Sequence, residues 1–333
     1  MNGKQLIKDV FDQEKVQTIP VGFWFHFLTG KDLCLGYKRP SLINKSIEGH
    51  KDFFNTFHPD ILKIMTDGFF VPPSILNKRI DHVEDLTQIQ ELGIRHPWIE
   101  NQIKFAKKIV QFVGDSAAVF YNIFSPANIL RQKFELIDND ANKLSRIFLE
   151  DPLIFNALKT ISKDIDHLVE GVIKSAGSDG IYFCVQNILD KKVTKEIYRK
   201  YITPSEQHIL KTANRFSKYN ILHICSYNQV YNDLTFYQDY DIKAVNYAVH
   251  TEDITLAQGK TIFPGKAIIG GFQNDKRGVL YLGNQYQIEH ETERLLKLED
   301  TKGIILGADC TVPMDISLKH LEWARNKARY LVV

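Results

Sequence analysis

Short apolar runs recur along this chain and alternate with longer amphipathic segments. The runs are rich in β-branched and aromatic residues and contain few polar positions; they cover 20–25, 61–66, 118–124, 180–185, 220–225, 244–249, 267–272 and 303–308. Strands that are buried on both faces of a parallel sheet have this nearly continuous apolar character. The pattern therefore predicts eight buried parallel strands.

The segments between the runs have helical spacing of apolar positions and many charges. They cover 47–57, 98–112, 151–175, 204–217, 285–298 and 317–331, and a further helix is predicted over 2–13. Alternation of eight strands with helices predicts an α/β fold, a single (β/α)8 TIM barrel domain over residues 1–333. A doubly wound sheet is the alternative, but it usually has a Gly-rich turn after its first strand, and none follows Phe25.

Two long loops are predicted after the first two strands, over 28–46 and 71–96. Because the active site of such a barrel lies at the carboxyl ends of its strands, we expect these loops to cover it.

Composition narrows the range of functions. The chain has 333 residues and a net charge of +2, which gives no electrostatic reason to expect nucleic acid or an anionic membrane as partner. No apolar run reaches the roughly 20 residues of a membrane helix, and the first residues lack the apolar segment of a signal peptide. With only four cysteines, widely spaced, we expect a cytoplasmic protein with reduced thiols.

The most specific chemical signal is a histidine and two cysteines at predicted strand ends. His223 and Cys225 are two residues apart, so on a strand they share a face, and Cys310 follows the last predicted strand. One imidazole and two thiolates form a typical zinc ligand set that leaves a fourth position open. The alternative is structural, because cysteine is often buried and a histidine at a strand end often only donates a hydrogen bond.

Other polar residues end the remaining predicted strands. Asp67 either caps a turn or handles a proton or substrate, and Tyr121 is a second catalytic candidate. His26, Gln186 and Asn274 are candidates for substrate binding. For Tyr121, Gln186 and Asn274 the alternative is structural hydrogen bonding.

Several segments resemble the uroporphyrinogen decarboxylase superfamily, which includes cobalamin-dependent methyltransferases that act on coenzyme M. The resemblance spans nearly the whole chain and is carried by four stretches, 2–21, 57–67, 268–274 and 306–315. It implies a (β/α)8 barrel, in agreement with the strand pattern, and makes a homodimer plausible.

The superfamily divides by chemistry. The decarboxylase branch binds its carboxylate-rich substrate with arginines in an Arg-Gln-Ala-Gly-Arg stretch after the first strand. In this chain the corresponding residues 25–30 contain no arginine. That branch also has an acidic residue and a tyrosine that correspond to Asp67 and Tyr121. Its late Gly-His-Gly is replaced here by residues 308–310, which contain no histidine.

The methyltransferase branch has a His-X-Cys…Cys zinc motif, which His223, Cys225 and Cys310 match residue by residue. The resemblance implies Zn²⁺, a thiol acceptor activated on it, and a corrinoid methyl donor, either free methylcobalamin or one on a corrinoid-binding partner protein. The alternatives are a porphyrin decarboxylase, and a barrel that binds a small molecule without reacting it.

Overall fold

A parallel β-sheet forms the centre of the molecule in the computed structural model, which describes residues 2–150, 152–187, 190, 192–226, 230–298 and 300–331. Within these ranges the sheet has seven strands, each paired with the next along the chain. The strands are β1 Ile61–Ile64, β2 Ala118–Phe124, β3 Gly180–Val185, β4 Ile221–Ile224, β5 Ala244–Asn246, β6 Ala267–Phe272 and β7 Ile304–Ala308. The predicted α/β class and parallel pairing are therefore confirmed.

The first predicted strand, 20–25, forms a single bridge rather than a strand. Val21 pairs in parallel with Leu306 of β7, and the amide of Gly22 donates to the Leu306 carbonyl at 3.0 Å. The amide of Val21 donates to the Asp60 carboxylate instead of to a neighbouring strand, which interrupts the ladder. The Val21 carbonyl accepts from the amide of Asp60, just before β1. Both edges of the sheet therefore meet the same segment, and the sheet is curled.

Strand β5 is shorter than the predicted run 244–249. Its ladder stops at Asn246, and a short helix begins at Val249. The backbone amides of Val249 and His250 donate to the carboxylate of Asp309, so this buried side chain pulls the segment away from the sheet. His250 consequently lies in the helix and not at a strand end.

Helices connect the strands. They are α1 Gly3–Phe11, α2 Pro40–Phe57, α3 Pro73–Leu76, α4 Pro97–Val113, α5 Pro126–Leu136, α6 Lys143–Glu150, α7 Leu153–Glu170, α8 Lys195–Tyr201, α9 Thr203–Asn214, α10 Val249–Glu252, α11 Leu256–Ile262, α12 Val279–Leu282, α13 Gln285–Leu296 and α14 Leu318–Tyr330. A π-helical turn, Gly171–Ser175, extends α7, and 3₁₀ turns cover Gly30–Cys34, Gly36–Lys38, Val83–Gln88 and Leu234–Tyr237. The predicted helices correspond to α1, α2, α4, α7, α9, α13 and α14, although Asp151, the first residue of one prediction, lies outside the described ranges.

The two faces of the sheet bury separate apolar clusters. Side chains of the inner face pack with those of α1, where the rings of Phe11 and Phe120 lie 5.7 Å apart. The outer face packs against the connecting helices in a larger cluster. Because α1 adjoins the start of β2, it covers the amino ends of the strands and leaves the carboxyl ends for a site.

None of the helices in the described part of the chain has the length and apolar character needed to span a membrane.

Candidate metal centre

The structure brings His223, Cys225 and Cys310 together at the carboxyl ends of two strands. His223 is in β4, Cys225 follows that strand directly, and Cys310 comes two residues after the end of β7. Among the described residues, these three form the group of His, Cys, Asp or Glu side chains close enough to hold a metal ion. The predicted convergence of the two strand ends is observed.

The distances between the three donor atoms suit a tetrahedral zinc ion. The Cys310 sulfur lies 3.3 Å from His223 Nε2 and 4.0 Å from the Cys225 sulfur, and all three atoms lie within 4.8 Å of one another. Zinc bonds of about 2.3 Å to sulfur and 2.0 Å to nitrogen at a tetrahedral angle place the sulfurs about 3.8 Å apart and sulfur and nitrogen about 3.5 Å apart. The residues therefore fit zinc without rearrangement of the backbone.

The two thiols differ in their ease of ionisation. The hydrogen bond with Cys225 holds the pKa of Cys310 well below its usual range, and His223 adds to this effect against the opposing effect of burial. The pKa of Cys225 is raised by the same hydrogen bond and by burial. The pair therefore favours one thiolate shared with its neighbour, and a bound cation would favour the second.

Cys184 is a useful contrast. It lines the same cavity, but burial raises the pKa of its thiol to about 12, and its sulfur donates to the side-chain oxygen of Asn122 at 3.1 Å. Burial also raises the pKa of Cys34 to about 12. Both are neutral buried thiols.

Surrounding side chains hold the two cysteines in place. The Cys225 carbonyl accepts from Gln186 Nε2 at 3.0 Å and from Asn232 Nδ2 at 3.1 Å, and Asn232 also donates to Glu252. Asp309, next to Cys310, is fixed by the amides of Val249 and His250. These bonds orient the two cysteines from outside the group, as is usual around metal ligands.

The centre opens into a cavity of about 580 Å³. Of the two loops that were predicted to cover the site, the first contributes Leu28, Thr29, Gly30 and Leu33. No residue of the second, 71–96, lines the cavity, and only Phe70, directly before it, does so. Helix α5, which the sequence pattern did not predict, supplies Arg131, Gln132, Glu135 and Leu136 to another part of the wall. A volume of this size accommodates a small-molecule substrate.

Asp67 is completely buried and fixes the chain next to the cavity. One carboxylate oxygen accepts from the amides of Phe27 and Leu28 at 2.6 and 3.0 Å, and the other lies 2.7 Å from His26 Nδ1. His26 itself lines the cavity and remains partly exposed. Asp67 acts on the cavity wall through these contacts, and its own carboxylate does not line the cavity.

The other predicted site residues lie at different depths. Asn274 lines the cavity and donates to the Thr311 carbonyl at 3.0 Å, next to Cys310. Gln186 is behind the metal centre, in contact with Cys225. Tyr121 is completely buried, donates to Gln102 at 3.0 Å and does not line the cavity.

Sequence reasoning missed Lys63, a buried lysine on the wall of the cavity. The available signal was a lysine inside an otherwise apolar predicted strand, where a charge needs a specific reason. It also missed the paired residues Arg131 and Glu135, because helix α5 was not recognised.

Comparison with solved structures finds the same fold in methyl-transferring proteins. A methyltransferase from Methanosarcina mazei has a TM-score of 0.71 at 14% sequence identity, with 98% of each chain covered. A B12-independent methionine synthase from Shewanella sp. W3-18-1, in complex with selenomethionine, has a TM-score of 0.53 at 12% identity and covers 94% of this chain and 95% of its own. At such identities the similarity shows a shared fold.

No family model matches the chain. No curated protein matches it either.

Proposed function

We propose that this protein is a zinc-dependent methyltransferase that moves a methyl group from a corrinoid donor to an acceptor thiol. The observation that carries the proposal is the group His223, Cys225 and Cys310, with zinc-like spacing, at the wall of an open cavity. The fold shared with a methyltransferase and a methionine synthase supports the reaction class. The corrinoid donor and the zinc–thiol branch come from the sequence resemblance.

The proposal also covers the closure of the barrel. We take the segment around Val21, which contacts both edges of the sheet, as an incomplete eighth strand that closes a single (β/α)8 barrel domain. A closed barrel explains why the ends of β4 and β7, which are not neighbours, meet at the metal centre.

His223, Cys225 and Cys310 would hold the ion, and the cavity would hold the acceptor. A zinc ion bound there supplies a Lewis acid that lowers the pKa of an acceptor thiol. In the proposed reaction the acceptor would release its proton to solvent, its sulfur lone pair would form the bond to the methyl carbon, and the carbon–cobalt bond of the donor would break with its electron pair left on the corrinoid. His26 and Asn274 would orient the acceptor from the cavity wall, and Asp67 would position His26.

Direct assay tests this function. Protein reconstituted with zinc is incubated with methylcobalamin and a panel of small thiols, and the thioether product is measured by mass spectrometry. We expect zinc-dependent thioether formation, lost in Cys310→Ser and retained in Cys184→Ser.

A parallel assay with uroporphyrinogen tests the decarboxylase alternative. Decarboxylation that is insensitive to Cys310→Ser, with no methyl transfer to any thiol, would refute the proposed function.

A further inference from the structure

Lys63 is a buried cation in the cavity that contains the metal centre. It lies in β1, it is 4% exposed, and its neighbours Ile61 and Met65 belong to the inner-face cluster. Its side chain lines the cavity together with His223, Cys225 and Cys310. A lysine is rarely buried in this way without a partner of opposite charge.

Within the described part of the chain, the contacts of the Lys63 ammonium are aromatic. Its Nζ lies 4.2 Å from the ring centroid of Tyr182 and 5.3 Å from that of Trp24, and no carboxylate of the described residues pairs with it. The Tyr182 ring in turn lies 5.6 Å from the ring of His223. Ring contacts hold the ammonium in position but do not balance its charge.

The other charged side chains of the cavity wall are paired. Arg131 binds Glu135, Lys276 binds Asp315, and Asp275 binds Arg277, while His26 contacts Asp67. These pairs leave Lys63 without a carboxylate partner among the described residues of the wall. Its charge favours the thiolate form of Cys310, and a bound zinc ion would neutralise that thiolate. The cavity wall therefore favours a ligand that carries one negative charge.

The charge count of the metal centre indicates where that negative charge arises. A Zn²⁺ ion with two thiolates and a neutral imidazole is neutral overall, so an acceptor bound as a thiolate brings one net negative charge into a buried space. Burying an unbalanced charge is costly, and a cation on the same wall removes much of that cost.

We propose that Lys63 is the counter-ion of the acceptor thiolate, a positioning residue that favours binding of the acceptor in its ionised form. This inference rests on the proposed function. It assigns to Lys63 an interaction with the reacting sulfur and not with a distant acidic group of the acceptor.

The test measures thiol binding without turnover. Wild-type protein and the variants Lys63→Met and Lys63→Arg are loaded with Co²⁺, and binding is followed by the thiolate-to-cobalt absorption band. Each protein is titrated with neutral 2-mercaptoethanol and with acidic mercaptoacetate across a range of pH. Circular dichroism and metal content show whether each variant is folded and loaded, and Lys63→Gln replaces Lys63→Met if the latter does not fold.

We expect Lys63→Met to bind both thiols about tenfold more weakly at neutral pH and to raise the midpoint pH of binding by about one unit. Lys63→Arg should restore most of the affinity because it keeps the charge. Unchanged binding in Lys63→Met would overturn the inference. Weakening confined to mercaptoacetate would also overturn it, because Lys63 would then bind the acidic group.

Equal weakening in Lys63→Met and Lys63→Arg would overturn the inference as well, because packing and not charge would be the cause. Failure of the wild-type protein to bind metal would refute the proposed function together with this inference. Thiolate binding in the wild type that is unaffected in Lys63→Met refutes only the inference.

Discussion

Replacement of Asp67 by alanine tests how the cavity wall is held. The side chain is completely buried and receives three short contacts, from the amides of Phe27 and Leu28 and from the ring of His26. Alanine removes every acceptor and leaves the two amide donors unpaired in a region with little water. An unsatisfied buried donor costs about 1–3 kcal/mol, so we expect a loss of about 3–5 kcal/mol in the free energy of unfolding.

Asparagine at the same position should cost less. Its oxygen can keep both backbone contacts, and its amide nitrogen can donate to His26 if the imidazole changes tautomer, so we expect a loss of about 1–2 kcal/mol from the missing charge. Asp164→Ala is the matched control, because Asp164 accepts from the amides of Leu92 and Gly93. It should be similarly unstable but should leave thiol binding unchanged.

Urea denaturation followed by circular dichroism gives the midpoint and slope for each variant. Asp67→Ala should also weaken thiol binding to the metal-loaded protein, since it releases His26 from the cavity wall. A loss below about 1 kcal/mol, with thiol binding unchanged, would refute the conclusion that Asp67 fixes this segment.

Two further predictions concern parts of the fold away from the metal. Burial raises the pKa of Glu206 to about 7, although the hydroxyls of Tyr198 and Tyr240 donate to its carboxylate. The folded protein therefore keeps this proton to higher pH than the unfolded chain, so the stability from Glu206, about 3 kcal/mol, is complete below pH 4.5 and is lost as pH rises through 7. As pH rises across that range, the urea midpoint should fall less steeply in Glu206→Gln than in the wild type. The same pH dependence in both proteins would contradict this. In Gly36→Ala the new Cβ would lie 2.8 Å from the Cα of Gly68, so we expect a loss of about 1–3 kcal/mol by the same assay, and a stability equal to wild type would show that the backbones separate freely.

The sequence pattern located most of the sheet because buried parallel strands have a continuous apolar signature. The predicted runs 118–124, 180–185 and 267–272 coincide with β2, β3 and β6. The run 20–25 has the same signature but lacks a continuous ladder, since the Asp60 carboxylate occupies the amide of Val21. Such a long-range side-chain contact leaves no trace in local periodicity.

The site was predictable to the extent that residue chemistry is specific. A histidine and two cysteines at strand ends are rare enough to be recognised, and the structure places them together. Lys63 is an ordinary residue type whose importance depends on what lies around it, here two aromatic rings and a cavity. Helix α5 was missed because it is buried nearly throughout, including its polar residues Arg131, Gln132 and Lys133, so its polar positions do not mark the solvent-exposed face of a typical surface helix.

Metal analysis of the purified protein tests the central claim most directly. Protein prepared without chelator and supplied with zinc should contain about one zinc per chain, because three ligands with suitable spacing are already in place. Cys310→Ser should lose the metal, whereas Cys184→Ser, which changes a neutral thiol of the same cavity, should retain it. Wild-type protein without stoichiometric zinc, or Cys310→Ser with its full complement, would contradict the account.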